Sequence, residues 1–341
     1  MLFFKKRFLL ILHELTNTGA PRAVLNLCKT LISLGVDVWV ISLKDGPLLD
    51  EFKNTGVKTF CLNYKKIKKY SFLFYFFDVV ICNTICCYKL VDWFLKIHIN
   101  IYWWLHEASY FSENIIQDNK KCINALKKCK HIFCVSEYSK EFFEKYNKNI
   151  KILDITIDDE LDNYRKNITN KRHNILYCAE VCPLKGQKEF LDYFLALKKD
   201  VTDKYEVNFA GRIADNIYYD ELKEKIKDYP NIKFLGAKSH DEVLQLMANC
   251  DFFSLFSLGD SFSIATLEAI MMNKPVIISN NVGLKDYIIK EKVGYVVSTK
   301  SEFEDVFVNE KYKEIFFPRK MFINNFSKAV YKNRIKEIFN L

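Results

Sequence analysis

The sequence predicts an α/β chain of two Rossmann-like, doubly wound domains facing across a cleft. Short apolar runs alternate with amphipathic helical patterns in the first half, and the alternation begins afresh after a polar stretch at 151–173. At 341 residues the chain is too long for one ordinary domain and suited to two. Residues 251–279, DFFSLFSLGDSFSIATLEAIMMNKPVIIS, read as one parallel βαβ unit. Its parts are a strand at 252–256, a turn at Gly259-Asp260-Ser261, a helix at 262–272, a stop at Asn273-Lys274-Pro275 and a strand at 276–278. Parallel sheets bind ligands beyond the carboxyl ends of their strands, and Asp260 falls there.

Residues 7–15 read as the first core strand. The start, MLFFKKRFLLILHEL, has the basic patch and apolar run of a secretory signal, but His13-Glu14 cuts the run short and no small-residue cleavage site follows. After a turn at 16–21, Val24, Leu27, Cys28 and Leu31 line one helix face, with Gly35 as the stop. Strands follow at 36–43, 57–62, 78–84, 101–106 and 132–136, then a helix at 139–146 and the polar stretch, read as a linker. Small residues Gly19 and Ala20 would let a ligand or a facing domain approach, although a tight strand-to-helix turn asks for the same residues. Asn83-Thr84 and His106-Glu107 end their strands at the ligand-side rim.

The second half reads as strands at 175–178, 207–210, 232–235, 252–256, 276–278 and 295–297, with a capping-box spacing at Ser239 and Glu242. Lys185, in a loop leading into a helix, suits a diphosphate as a point charge, though Lys-Gly is also common in turns. Glu268, eight residues after Asp260, lies roughly 12 Å further along a helix axis. The first helical turn between them offers backbone N–H groups to a phosphate. The plainer alternative makes Asp260 an N-cap and Glu268 a solvated residue. Residues 318–341 read as helical, with Phe326, Val330, Tyr331, Ile335 and Ile338 on a stripe. The expected domains are 1–165 and 166–320, with a helix at 321–341 that crosses back to the first domain or packs on the second.

Eleven cysteines sit mostly in apolar patterns, and no CxxC pair suggests zinc. Charged residues break the most apolar region, 71–95, before it reaches spanning length. The formal charge of +9 suits nucleic acid, anionic lipid or an anionic small substrate. No nucleic-acid motif is visible, so no nucleic-acid partner is expected. The densest basic cluster, Tyr64-Lys65-Lys66-Ile67-Lys68-Lys69-Tyr70, precedes SFLFYFF. Residues 64–77 therefore fit an anionic membrane surface, or a solvated loop before a buried segment.

Two acidic residues eight apart, ahead of a small-residue pair and a Pro-Val strand, resemble the donor site of the family 4 glycosyltransferases, which are retaining enzymes of GT-B fold; the likeness is to a bacterial-type glycan-synthesis branch. Where that family usually has Glu before Gly-Phe-Gly, this chain has Asp260-Ser261-Phe262-Ser263. LTNTGAPRAVLNL resembles the family's first glycine-rich loop, and the Trp-rich strand ending in His106-Glu107, with Asn83-Thr84 upstream, resembles its acceptor-side rim. Lys185 matches a lysine that meets the donor phosphates. The position five residues earlier, often arginine in the family, is Glu180, and Arg212 is the candidate to supply the missing charge.

The resemblance implies transfer of a sugar, with retention, from a UDP- or GDP-sugar to a hydroxyl of a glycan or lipid-linked acceptor, in surface polysaccharide or glycolipid synthesis. It implies no cofactor and no metal, and a cytoplasmic enzyme peripheral to the inner face of the membrane. His106 and Asp260 would be catalytic. Gly19, Ala20, Lys185, Arg212, Ser261, Phe262, Ser263 and Glu268 would hold the donor, and Asn83, Thr84 and Glu107 would serve the acceptor. A non-catalytic glycosyltransferase-like binding protein is the alternative, supported by Asp260 and Glu180. A sugar-nucleotide epimerase would need ring-flanking acid and base groups that the sequence does not offer.

Overall fold

The computed structural model describes residues 5–107, 109–166 and 171–341. Residues 1–4 of the basic start and 167–170 of the expected linker lie outside them. The chain divides into one unit of residues 1–156 and 328–341 and a second of 157–327.

The first unit is built on a parallel sheet of β1 (Arg7–Leu12), β2 (Asp37–Ser42), β3 (Lys58–Cys61), β4 (Val79–Asn83), β5 (Ile101–Leu105), β6 (His131–Cys134) and β7 (Ile150–Ile152). Its order is β3-β2-β1-β4-β5-β6-β7. Residues on both faces of β1 and β4 are buried, so these strands read as continuous apolar runs rather than alternating ones. The strand order reverses between β1 and β4, and such reversal points are where parallel sheets commonly bind ligands, beyond the strands' carboxyl ends.

Strand β7 was hidden in the stretch read from composition as a linker. Its Ile150 and Ile152 pair with Ile132 and Cys134 of β6. The following Leu153, Ile155 and Ile157 are buried too, because isoleucines and leucines alternate through a segment whose other residues are polar. Trp104 Nε1 donates to the Leu153 carbonyl at 2.9 Å, and Asn26 to that of Thr156 at 2.9 Å.

The single helix expected at 318–341 is two helices, Pro318–Phe326 and Lys328–Phe339, broken at Ser327, whose backbone is extended. The later helix packs within the first unit. Phe339 meets the rings of Phe8, Tyr102 and Phe133 at 5.1, 5.4 and 6.2 Å, and Arg334 pairs with buried Asp154.

The second unit carries β8 (His173–Cys178), β9 (Tyr205–Ala210), β10 (Ile232–Gly236), β11 (Phe252–Leu255), β12 (Val276–Ser279) and β13 (Gly294–Val297), all parallel, in the order β10-β9-β8-β11-β12-β13. Its reversal lies between β8 and β11, the strands that precede Lys185 and Asp260. The two loops are fastened to each other. Ser257 Oγ and Leu258 N donate to the Leu184 carbonyl at 3.0 and 2.9 Å. Gly186, at φ +65°, runs so close to β11 that a Cβ there would lie 1.8 Å from the Phe256 carbonyl oxygen.

Candidate active site

In the second unit, the fastened loops bring the Lys185 ammonium to 2.8 Å from Asp260 Oδ2. Burial opposes the lysine's charge, but the Asp260 carboxylate outweighs it and raises the lysine above its ordinary value. Asp260 Oδ1 accepts from the Phe262 N–H at 3.3 Å, and its backbone is pinned to the loop after β12 through Asn281 and Gly283. A cation and a carboxylate thus stand at the reversal point of the sheet, where an anionic ligand with hydroxyls could take both.

The helix after Asp260 runs from Ile264 to Met271, starting later than its sequence pattern suggests. Ser263 is its N-cap: its hydroxyl accepts from Thr266 N at 3.3 Å while its backbone sits at φ +67°, where most side chains are strained. Phe262 is buried, its ring centroid 5.6 Å from that of Phe326, and Ser261 lies between it and Asp260 in the turn. Glu268 is set deeper on the helix, its side chain 13% exposed, and His240 Nε2 lies 3.0 Å from its Oε1. Arg212, the candidate to supply the charge missing at position 180, meets Glu180 itself at 2.5 Å on the surface.

The first unit gathers a second cluster above β1, β4 and β5. Thr84 adopts φ 70°, ψ 158°, a region nearly confined to glycine. Each of its polar groups is held: Oγ1 lies 3.0 Å from His13 Nδ1, its N–H donates to Trp104 O at 2.8 Å, and its carbonyl accepts from Trp103 Nε1 at 2.8 Å. Glu107 accepts from the Ile85 N–H at 3.1 and 3.0 Å and from the His106 N–H at 3.0 Å. Burial nonetheless raises Glu107 to about 7, against those hydrogen bonds. Burial, helped by His13, lowers His106 to about 3, so it is neutral at physiological pH. Both residues keep some solvent exposure, but the protein packed around them dominates.

Asn83 is buried, and neither of its side-chain polar atoms finds a partner among the described residues. Gly19 and Ala20 open the Gly19–Ser33 helix, whose N-cap Thr18 gives no side-chain cap. Within each unit the expected residues therefore gather at one rim: Gly19, Ala20, Asn83, Thr84, His106 and Glu107 in the first, Lys185, Asp260 and Glu268 in the second. Sequence reading missed His13 and His240. Each contact joins residues far apart in the chain, and only strand order brings them together.

Two family models match the chain, Glycosyl-transferase family 4 over residues 4–169 and Glycosyl transferases group 1 over residues 158–306. An uncharacterized glycosyltransferase of Methanocaldococcus jannaschii, MJ1178, is 27% identical over 158 residues, covering 46% of this chain and 42% of that protein. The N,N'-diacetylbacillosaminyl-diphospho-undecaprenol alpha-1,3-N-acetylgalactosaminyltransferase of Campylobacter jejuni is 28% identical over 193 residues, covering 56% and 45%. The matches thus span less than half the length of these curated relatives. Among solved structures, Anabaena Alr3699/HepE in complex with UDP superimposes with a TM-score of 0.78 at 15% identity, covering 98% of this chain and 99% of that one.

Proposed function

The chain belongs to glycosyltransferase family 4 and has the GT-B fold, and on that premise we propose a retaining enzyme that moves a sugar from a UDP-sugar to a hydroxyl of a lipid-linked glycan. The observation that carries the reading is the Lys185–Asp260 pair at the reversal point of the second sheet, with Glu268 on the helix behind it. The donor's diphosphate takes the place of Asp260 on Lys185, and the freed carboxylate turns to the sugar hydroxyls. Glu268 accepts from the ribose hydroxyls. The acceptor oxygen bonds to the anomeric carbon on the face from which the phosphate oxygen leaves. The diphosphate departs with the bonding electrons and takes the acceptor's proton. Lys185 stabilises the charge that develops, so no proton donor to the leaving group and no metal is required.

His106, neutral and half-buried, donates to or accepts from a sugar hydroxyl in this scheme. Asn83, Thr84 and Glu107 shape the acceptor side, which the strain at Thr84 and the Asn83 amide, without a partner among the described residues, support. A thermal-shift screen with UDP, GDP and ADP, each with and without Mg²⁺, tests the donor. A ligand at 100 times its Kd adds about 2.7 kcal/mol to the native state. Stabilisation by UDP that is indifferent to Mg²⁺ is the expected result; no stabilisation by any nucleotide would return the chain to the non-catalytic reading.

The lipid-linked acceptor draws on the Campylobacter relative, whose name gives a diphospho-undecaprenol substrate. Support in this chain comes from residues 64–77, a Tyr64–Lys69 helix followed by a 3₁₀ turn at Ser71–Phe76. Ile67 and Phe74 anchor the segment, while Lys65, Lys66, Lys69, Phe72, Tyr75 and Phe76 are exposed. Among the described residues no helix is long and apolar enough to cross a membrane, so this surface is the proposed contact. Each lysine contributes about 1 kcal/mol at an anionic surface. Changing Lys65, Lys66 and Lys69 to Ser is therefore expected to weaken co-sedimentation with phosphatidylglycerol vesicles about 100-fold. Unchanged sedimentation would rule the contact out.

A further inference from the structure

We infer that His240 is a positioning residue of the donor site: through its Nε2–H it holds the Glu268 carboxylate in the orientation that receives the ribose. The inference rests on the ribose role given to Glu268 above. His240 Nε2 lies 3.0 Å from Glu268 Oε1. A carboxylate only accepts, so the ring must carry a proton on Nε2, and the contact selects that tautomer. One lone pair of Oε1 is then used, leaving Oε2 and the remaining Oε1 lone pair for the two hydroxyls of a ribose cis-diol.

The two residues stand on separate elements that the second sheet brings together. His240 is the first residue of the His240–Asn249 helix, which follows β10, and its backbone is fixed by a complete capping box between Ser239 and Glu242. Glu268 stands on the helix that follows β11, at the same carboxyl rim. Glu268 is mostly enclosed and His240 is 54% exposed, so the imidazole approaches the carboxylate from the solvent side, where a ligand would enter. A free glutamate samples many rotamers, and fixing one of them costs a ligand conformational entropy. With His240 in place that freedom is already gone before the ligand arrives, which is preorganisation rather than a new ligand contact.

A purely structural role fits poorly. A contact whose histidine is as exposed as this one contributes little to stability, and the His240 backbone is held by its cap regardless of the ring. The ligand atoms of Glu160, His240 and Asp241 lie within 4.8 Å of one another, so the test is run in EDTA to keep adventitious metal from tying up the imidazole.

Calorimetric titrations with UDP and with 2′,3′-dideoxy-UDP compare the wild type with His240→Ala, His240→Gln and Glu268→Ala. The expected result is a Kd for UDP raised about 5- to 10-fold in His240→Ala, with no change for the dideoxy nucleotide, a turnover at saturating donor close to wild type, and an unchanged Tm. His240→Gln, whose amide can donate to the same oxygen, should recover most of the UDP affinity. Equal losses for both nucleotides in His240→Ala, or no loss for UDP while Glu268→Ala abolishes the ribose preference, would overturn the inference and leave the role of Glu268 standing. No effect of Glu268→Ala would remove that role and the inference with it.

Discussion

Lys185→Ala lowers donor turnover by about 10²- to 10³-fold, the range found when one preorganised stabiliser of a developing anion is removed. The donor's KM should rise much less. In the proposed scheme the lysine meets the diphosphate in both the ground state and the transition state, but the charge on the departing oxygen grows only as the sugar–phosphate bond breaks. The same ammonium pairs with Asp260 at 2.8 Å, so its removal also strands a largely enclosed carboxylate. Asp260→Asn on the Lys185→Ala background separates the two effects. If the double variant regains stability, the stability loss belongs to the stranded carboxylate; the rate loss is read in Lys185→Ala alone, per folded enzyme, because Asp260 itself orients the donor sugar in the proposed scheme. Nucleoside diphosphate release under saturating donor is the readout, and a Lys185→Ala enzyme within threefold of wild type would contradict the assigned role.

Glu107 and His106 are expected to cancel each other's effect on stability across mildly acidic pH. His106 falls from an ordinary value of 6.5 to about 3 in the folded protein. Between those values the unfolded chain binds the extra proton, so this residue makes stability fall as pH drops below 6.5. Glu107 rises from 4.5 to about 7. Here the folded chain binds the extra proton, so this residue makes stability fall as pH climbs from 4.5 to 7. Through the middle of the window from pH 4.5 to 6.5, about pH 5 to 6, the two slopes are opposite and of similar size. Each single substitution exposes the other. Relative to wild type, His106→Asn should lose stability as pH rises through this window, and Glu107→Gln should lose it as pH falls. The size is about 2 kcal/mol over the window, after allowance for the residues' partial exposure. Urea midpoints at pH 4.5, 5.5 and 6.5 provide the measurement, and difference profiles that stay flat for both variants would contradict the opposed shifts.

What the sequence disclosed followed the strength of local pattern. Both sheets were legible because parallel strands covered on both faces leave near-continuous apolar runs. Asp260 and Lys185 were legible as residues of strand-end loops. Strand β7 was not, since three residues inside a polar stretch carry too short a signal. Nor was the helix break at Ser327, because serine is tolerated inside helices and the apolar stripe continues past it. Pairing was the least visible property. Lys185 and Asp260 meet across 75 positions only because β8 and β11 are neighbours, and His240 meets Glu268 only because the helices after β10 and β11 share a rim. Arg212 illustrates the same limit: its sequence position suggested a free cation, and the fold pairs it with Glu180.

The central claim is that the second unit binds a nucleotide sugar through Lys185, Asp260 and Glu268, and a crystal structure of the protein with bound UDP tests it most directly. The expected density places the β-phosphate within hydrogen-bond distance of Lys185 Nζ and the ribose hydroxyls on Glu268, with Asp260 released from the lysine. UDP bound elsewhere, or bound while the Lys185–Asp260 pair stays closed, would contradict the account.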